Sequence, residues 1–253
     1  MIIKILASGS KGNSTYIKCG QTKILVDVGI SLIQIEKGLR EIDEKIDNIE
    51  GILISHTHSD HIKGLASIIK KANLKVYITV ELLKEIRKIV PLENIVIIRD
   101  NYNINDTKII LINTSHDVES YGFLIEYKNK SLVYITDTGY INRKNYSLTN
   151  NKDIYIIEAN HDEEMLLNGP YPYILKQRVI SDTGHLSNRY TGKYLSNAIG
   201  DKTKYIVLAH ISENNNTKEL ALSQVIEELK ETNFNTDNII AAEQYETTMK
   251  IEV

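Results

Sequence analysis

The segment "SHTHSDH", residues 55–61, places three histidines and an aspartate within one short stretch of the chain. The whole protein has only seven histidines. The apolar run "EGILIS" at 50–55 predicts a buried strand that leads into the segment, and "KGLASIIKKAN" at 63–73 has the spacing of a helix. The histidines are therefore expected where a strand ends and a helix begins.

The spacing of these side chains suits metal binding. Residues two apart in an extended segment point the same way, so His56 and His58 can face one point. As the chain turns into the helix, Asp60 and His61 can face a neighbouring point. Imidazole and carboxylate are ligands that borderline divalent metals prefer, so the segment predicts the beginnings of two adjacent metal sites. The alternative is a polar loop in which Asp60 caps the following helix.

Three further residues of the same chemical types follow strongly apolar strands. His116 follows "IILINTS", Asp137 follows "LVYIT" and His210 follows "YIVLA". Taken singly, each of them could be a half-buried residue with its hydrogen bonds satisfied. Together with the histidine segment, they are candidates for the remaining metal ligands.

Strand and helix patterns are mixed along the chain, which indicates an α/β protein whose sheets are covered by helices. The predicted strands are residues 2–6, 15–19, 23–28, 50–55, 75–79, 94–98, 107–113, 121–127, 131–136, 153–158 and 204–210, and the predicted helices are 32–42, 63–73, 80–90 and 217–231. The stretch 138–200 is mainly helical. Because no low-complexity linker interrupts the pattern, we expect residues 1–253 to form a single domain.

Composition limits the classes of function. The net charge is −3, so no broad cationic field draws the protein to nucleic acid, although a local basic patch remains possible. The single cysteine, Cys19, excludes an internal disulfide and favours a reducing compartment. The N-terminal apolar run breaks at Ser8, too early for a signal peptide core or a membrane span. We therefore expect a soluble cytoplasmic protein without a membrane partner.

The H-x-H-x-D-H motif, followed by His, Asp and His at strand exits, resembles the metallo-β-lactamase superfamily. Further segments resemble its WalJ/YycJ group: "SGSKGNSTYI" at 8–17, "LVDVG" at 25–29, "TDTGY" at 136–140, "EANHD" at 158–162, "GPYPYILKQR" at 169–178, "DTGHLSN" at 182–188 and "LAHISENNN" at 208–216. The resemblance covers nearly the whole chain. It implies an αββα sandwich of two mixed sheets flanked by helices, with metals at one edge, and a cytosolic phosphodiesterase with 5′-to-3′ exonuclease activity on DNA.

The resemblance also implies a ligand set and a cofactor. The ligands would be His56, His58 and His116 for one ion, Asp60, His61 and His210 for the other, and Asp137 as a bridge between them. Asp27, in "LVDVG", resembles an aspartate that orients ligands without binding metal; an ordinary turn residue is the alternative. The expected cofactors are two divalent ions of zinc, manganese or iron, which would hydrolyse a phosphodiester bond with a metal-bound hydroxide.

Two histidines remain outside this set. The segment "GHLSN" at 184–188 resembles one in related nucleases where a histidine approaches the scissile phosphate. His185 is therefore a candidate substrate contact or acid for the leaving oxygen, although Asp60 could supply that proton and an additional metal ligand stays open. Ser187 and Asn188 are candidate substrate-binding residues, with a helix N-cap as the alternative. His161 either supports a ligand or simply starts a helix.

Phosphate contacts are expected mainly from the stretch 138–200. Lys176 and Arg178 are the candidates that we favour among its basic residues, the others being Arg143, Lys144, Arg189 and Lys193. Solvated helix faces are the alternative for each. The turn at 8–13 could present backbone N–H groups to a phosphate, or be an ordinary Gly/Ser turn. Tyr171 and Tyr173 could stack on bases, or pack in the core or a lid.

Other functions would use the same ligands. An RNA-processing nuclease is one, although the interval from 137 to 210 is too short for the large inserted domain of the RNA-degrading branch. A small-molecule thioester or lactone hydrolase is another, and a metal-binding regulator without catalysis is the last. The basic stretch 138–200 favours a phosphate polymer, and the resemblance favours DNA over RNA. The residues do not indicate the oligomeric state.

Overall fold

The computed structural model describes residues 1–253, in which strands and helices alternate. The strands are β1 Ile2–Ala7, β2 Ser14–Cys19, β3 Thr22–Val26, β4 Gly51–Leu53, β5 Lys75–Ile78, β6 Ile95–Ile97, β7 Asn101–Ile104, β8 Thr107–Asn113, β9 Tyr121–Tyr127, β10 Lys130–Ile135, β11 Ile154–Glu158, β12 Tyr205–Ala209, β13 Ile239–Ala241 and β14 Ile251–Glu252. The α-helices are α1 Leu32–Arg40, α2 Ser59–Ile62, α3 Leu65–Ala72, α4 Leu83–Ile86, α5 Tyr146–Thr149, α6 Glu163–Asn168, α7 Tyr173–Ile180, α8 Asn188–Ala198 and α9 Lys218–Glu228.

The strands form two sheets of seven strands each, ordered β14-β1-β2-β3-β4-β5-β6 and β13-β12-β11-β10-β9-β8-β7. Both sheets are mixed. Strands β3 to β6 pair in parallel in the first sheet, as β10 to β13 do in the second. The remaining neighbours are antiparallel.

Three apolar cores define the layers. One lies between the sheets, and side chains from both sheets, such as Val26 and Ile156, contribute to it. A second packs α1 and α3 onto the outer face of the first sheet, and a third packs α8 and α9 onto the second. In β3, Ile24 and Val26 face the core between the sheets while Leu25 faces the helices, because successive side chains of a strand point to opposite faces. The predicted αββα sandwich of two mixed sheets is confirmed.

The elements differ from the sequence prediction most clearly at residues 80–90 and 101–104. The helix predicted over 80–90 is reduced to a 3-10 turn, Val80–Leu82, and the four-residue α4. Pro91 disfavours helical backbone at the residue before it, which limits the helix on that side. Strand β7 was not predicted, since its sequence, "NYNI", is mostly exposed and polar at the edge of the second sheet. No helix is both long and apolar enough to cross a membrane.

The topology brings several strand ends to one edge of each sheet. Strands β8 and β10 are both antiparallel to β9, so they run in the same direction as each other. Strands β11 and β12 are parallel to β10, so all four end at one edge of the second sheet. In the first sheet, β3 and β4 are parallel and also end together. The exits of these six strands carry the candidate ligands His56, His116, Asp137 and His210, together with Asp27 and Glu158.

Glycine at position 29 allows the loop after β3 to approach the histidine segment. A Cβ atom at Gly29 would lie 1.6 Å from the backbone oxygen of Asp60. The backbone N–H of Asn13 donates to the same oxygen (2.7 Å), and the Gly29 N–H donates to the Asn13 oxygen (2.8 Å). These backbone contacts fix the position of the helix turn that carries Asp60 and His61.

Candidate metal centre

The first group of potential donors contains His56, His58 and His116, whose ligand atoms lie within 4.8 Å of one another. Nδ1 of His58 is 3.3 Å from Nε2 of His116, although the two residues follow strands of different sheets. His56 is buried, and its Nδ1 donates to the Ser55 hydroxyl (3.0 Å). The other nitrogen of His56, Nε2, is buried without a hydrogen-bond partner. This group has the composition predicted for one metal ion.

The second group contains Asp60, His61 and His210, also with ligand atoms within 4.8 Å of one another. Oδ2 of Asp60 lies 3.4 Å from Nε2 of His61 and 3.7 Å from Nε2 of His210. Asp137 lies between the two groups: its Oδ2 is 3.2 Å from Nε2 of His61, and its Oδ1 is 4.0 Å from Nε2 of His116. A carboxylate so placed can reach ions in both groups.

Unpaired polar atoms at the centre test whether these residues fit divalent ions. Nε2 of His56, Nε2 of His210 and Oδ2 of Asp137 are buried and have no hydrogen-bond partner. Leaving such an atom unpaired costs about 1–3 kcal/mol, so convergent unpaired donors need a compensating group. All three are imidazole nitrogens or carboxylate oxygens, which zinc, manganese and iron accept. The donor set therefore fits divalent metal ions.

Asp27 is hydrogen-bonded to the segment that carries His56 and His61. It is fully buried; its Oδ1 accepts the Ser55 N–H (2.9 Å) and its Oδ2 accepts the Ser55 hydroxyl (2.7 Å). Oδ2 also accepts Nδ1–H of His61 (2.8 Å). Because Ser55 donates to Asp27, its oxygen accepts from Nδ1 of His56. Nε2 is therefore the nitrogen left for another partner: that of His56 has none, and that of His61 lies 3.0 Å from the side-chain nitrogen of Asn13. A carboxylate fixes a metal-binding imidazole in this way.

Glu158 plays the corresponding part in the second sheet, and it was not singled out from the sequence. Its Oε1 accepts Nδ1–H of His210 (2.8 Å) and of His185 (2.7 Å). Its Oε2 accepts the backbone N–H of Thr138 (3.0 Å) and of Leu186 (3.2 Å). Glu158 ends the buried strand β11, between the strands that precede Asp137 and His210. The rule that identified those two, a potential ligand at the exit of an apolar strand, would also have identified Glu158.

Electrostatics distinguish the two groups. Burial would lower the pKa of His210, but the charge of Asp137 and the hydrogen bonds to Asp60 and Glu158 raise it to about 10. Burial would also lower the pKa of His61, but the charges of Asp137 and Asp27 raise it well above its usual value. For His56, burial dominates and lowers the pKa well below the usual value. Without metal, the second group therefore binds protons at neutral pH, while His56 is uncharged.

His185 lies at the rim of this centre. Its ring centroid is 5.3 Å from that of His116 and 5.2 Å from that of His210, and a fifth of its side chain, 20%, is exposed. Since Nδ1 donates to Glu158, the nitrogen left for another partner is Nε2. A Cβ atom at Gly184 would lie 2.2 Å from the Val179 oxygen, so glycine is needed where the chain turns back under α7 to present His185.

The two basic residues that the sequence favours as phosphate contacts, Arg178 and Lys176, lie in different surroundings. Arg178 is exposed, pairs with Asp117, and lines a small cavity of about 150 Å³ together with His116 and His185. Lys176 donates to the Leu167 oxygen (2.7 Å) and lines neither cavity beside the centre.

Ser187 and Asn188 have structural roles at the start of α8. The Ser187 hydroxyl caps the helix by accepting the Tyr190 N–H, which is the alternative considered from the sequence. Asn188 is fully buried, and its amide bonds to the side chains of Asn216 and Gln224. Asn188 therefore faces the interior and is not available to a substrate.

His161 does not support a ligand in the way that the sequence suggested. It is buried, makes no hydrogen bond to any of the seven donors, and its Nδ1 has no partner. Burial lowers its pKa to about 4, so the ring is neutral at pH 7. Its backbone bridges to that of Ser187, and the residue lines a second, larger cavity on the far side of His185.

The turn at 8–13 is built mainly from internal hydrogen bonds. The backbone N–H groups of residues 8, 9, 11, 12 and 13 all donate within the protein. Only Ser10 in this turn has an N–H without such a bond, and Ser10 is exposed and lines the small cavity. The turn is thus an ordinary Gly/Ser turn with at most one amide available to an anion.

An αββα sandwich with histidines and aspartates from both sheets meeting at one edge defines the metallo-β-lactamase class of proteins. A family model described as the β-lactamase superfamily domain matches residues 22–211, and the chain belongs to this superfamily.

Individual relatives narrow the likeness. The chain is 39% identical over 238 residues to the exodeoxyribonuclease WalJ of Streptococcus pneumoniae, covering 91% of this chain and 88% of that protein. It is 36% identical over 236 residues to the exodeoxyribonuclease YycJ of Bacillus anthracis, covering 91% and 89%. Among solved structures, the metallo-β-lactamase fold protein YhfI from Bacillus subtilis superposes with a TM-score of 0.73 at 16% identity, covering 98% of this chain and 99% of that one.

We expect Asp27→Asn to weaken metal binding about 10- to 100-fold with little change in the folded structure. The amide has nearly the same shape, but it offers one acceptor oxygen where the carboxylate accepts from Ser55 and His61 through both oxygens. Metal affinity is measured by competition with a chromophoric chelator, and folding by circular dichroism. Asp201→Asn, at an exposed position, is the control. Equal affinities of the Asp27 variant and the parent would contradict this role.

Metal uptake should release protons. At pH 7 the raised pKa values of His61 and His210 mean that both rings are protonated in the metal-free protein, and an ion must displace those protons. Apparent affinity should therefore rise with pH from 6 towards 9. Adding zinc to metal-free protein in weak buffer with a pH indicator measures the release, and protein loaded with zinc beforehand is the control. An affinity independent of pH over this range would show that the rings are neutral before metal binds.

Proposed function

We propose that this protein is a metal-dependent hydrolase that cleaves phosphodiester bonds of DNA, as an exonuclease acting from the 5′ end. The observation that carries the proposal is the pair of donor groups joined by Asp137, with buried unpaired donor atoms in both groups. The likeness to two exodeoxyribonucleases over 91% of the chain supports DNA as the substrate. We assign His56, His58 and His116 to one ion, Asp60, His61 and His210 to the other, and Asp137 to both.

Two bound divalent ions would activate water as a nucleophile and stabilise the negative charge on the phosphoryl oxygens. The protein's own residues orient the donors and move the remaining proton. His185 is suited to protonate the leaving 3′ oxygen, because Glu158 accepts its Nδ1–H and leaves Nε2 facing outward at the rim. Asp60 is poorly suited: although burial opposes it, hydrogen bonds from His210 and His61 keep its pKa far below the usual value, so it stays ionised.

Binding of the phosphate backbone is assigned to the small cavity beside His116. Arg178 and Ser10 line this cavity with His185, so a cation, a hydroxyl and the proposed acid share one wall. Asp117 pairs with Arg178, and its Oδ1 lies 3.3 Å from Nε2 of His58. Arg178 thus holds a position next to the first donor group, where a phosphate bridging the centre and the arginine would be bound.

We further propose a single domain over residues 1–253, with 138–200 forming the substrate side. This stretch supplies Glu158, Arg178 and His185. It also forms most of the wall of the larger cavity. The buried, unpaired Cys19 fits a reducing compartment, and we place the protein in the cytoplasm.

The proposed activity is tested by digesting matched DNA and RNA oligonucleotides, labelled at the 5′ end, with manganese-loaded protein. We expect loss of mononucleotides from the 5′ end of single-stranded DNA, weaker action on RNA, and none in excess chelator or with Asp60→Ala. Elemental analysis before the assay gives the number of ions bound, with two expected. Cleavage of RNA but not DNA would favour RNA processing. Intact nucleic acid together with an opened thioester or lactone would favour a small-molecule hydrolase.

Substituting His185→Ala should reduce kcat on DNA by about 10²- to 10⁴-fold, the contribution of a general acid, and leave the bound metal unchanged. The loss should be smaller for a substrate with a 4-nitrophenolate leaving group, which needs no protonation. Lys176→Ala, at a position that lines neither cavity, is the control and should behave as the parent. Loss of a metal ion from the His185 variant would instead make this histidine a ligand.

A further inference from the structure

A large cavity with His185 in its wall adjoins the metal centre. It has a volume of about 660 Å³, within the range of small-molecule sites. His185 lines both this cavity and the small one that contains His116 and Arg178. A substrate whose phosphate is bound at the centre could therefore place its neighbouring group in the large cavity, next to His185.

Tyrosines dominate the wall of this cavity. Tyr190 in α8 is 62% exposed, Tyr140 after β10 is 45% exposed, and Tyr146 in α5 is 37% exposed. The Lys193 ammonium lies 5.5 Å from the Tyr190 ring centroid, one helical turn further along α8. Large rings left exposed inside a cavity are unusual unless a ligand covers them, and tyrosine rings stack on bases.

Charge indicates which part of a nucleotide belongs here. Glu163 and Asp182 line the cavity, and Lys193 is its only cationic side chain of the Lys or Arg type. A phosphate would meet two carboxylates and one ammonium, whereas the small cavity offers Arg178 without a carboxylate in its wall. The large cavity therefore suits a neutral aromatic group that forms hydrogen bonds.

A buried polar atom also indicates a ligand. His161 lines the cavity, is only 2% exposed, and its Nδ1 has no hydrogen-bond partner. Neither the metal centre nor α8 uses this ring. A neutral imidazole offers one donor and one acceptor, the complement that a nucleobase edge requires.

We propose that the large cavity is a nucleobase subsite, in which the base next to the scissile phosphate stacks on Tyr190 and hydrogen-bonds to His161. The proposal rests on the function proposed above, because it takes DNA as the substrate. Because stacking tolerates every base, the subsite would bind DNA of any sequence. It would also position the end of the strand at the metal centre.

Binding of mononucleotides tests the subsite without catalysis. Calorimetry with metal-loaded protein compares thymidine 5′-monophosphate with 2-deoxyribose 5-phosphate, which lacks the base. We expect the base to improve affinity about tenfold or more, Tyr190→Ala to remove this advantage, and Tyr190→Phe to retain it. Tyr102→Ala, an exposed tyrosine on the edge strand β7, is the control and should match the parent. Equal affinity for the two ligands in the parent protein would overturn the subsite.

Cleavage assays separate this proposal from the function itself. The parent should prefer DNA over the same strand with an abasic residue beside the scissile bond by about tenfold in kcat/KM, and Tyr190→Ala should not. The Tyr102→Ala control should keep the preference of the parent. Cleavage of DNA without any preference for the base would contradict the proposed subsite and support the proposed exonuclease activity. If DNA stays intact while the monophosphate binds through its base, the exonuclease activity would be contradicted and the subsite supported.

Discussion

Two buried carboxylates fix the protonation of the imidazoles on which the centre depends. Asp27 accepts Nδ1–H of His61 directly and that of His56 through the Ser55 hydroxyl, and Glu158 accepts Nδ1–H of His210. In each case the nitrogen left for a ligand is Nε2. Neither carboxylate meets a lysine or arginine, so their buried charge is balanced only by imidazoles and by whatever cation those imidazoles bind.

Three residues at the strand exits have strained backbone conformations. Asp27, Asp137 and His210 have φ values of 55°, 54° and 52°, in the left-handed region that residues other than glycine seldom adopt. Each follows its strand by one or two residues, where a sharp change of direction turns the chain out of the sheet. Such conformations cost on the order of 1–3 kcal/mol each and persist where surrounding contacts fix them. The hydrogen bonds to Ser55 and Glu158 are contacts of this kind.

The sequence revealed the parts of the site whose spacing is local and missed those that depend on strand neighbours. Residues 56–61 are close in sequence, and an apolar strand before His116, Asp137 or His210 is visible without a structure. Glu158 also ends an apolar strand and could have been found by the same rule, but its contacts with His210 and His185 depend on the position of β11 between β10 and β12, which tertiary pairing sets. The sequence does not show whether the Asn188 amide faces a substrate or bonds to Asn216, because that depends on how α8 packs against the rest of the protein.

Charge at the centre explains how a protein of net charge −3 could bind a polyanion. Five carboxylates, those of Asp27, Asp60, Asp117, Asp137 and Glu158, lie in contact with the proposed imidazole ligands. Without metal, the protonated rings of His61 and His210 balance only part of this negative charge, and bound divalent ions would balance more of it. Arg178 balances the charge of Asp117, with which it pairs. Divalent ions would therefore assist the binding of the phosphate as well as its hydrolysis, while the proposed base subsite lies where carboxylates remain, beside His185.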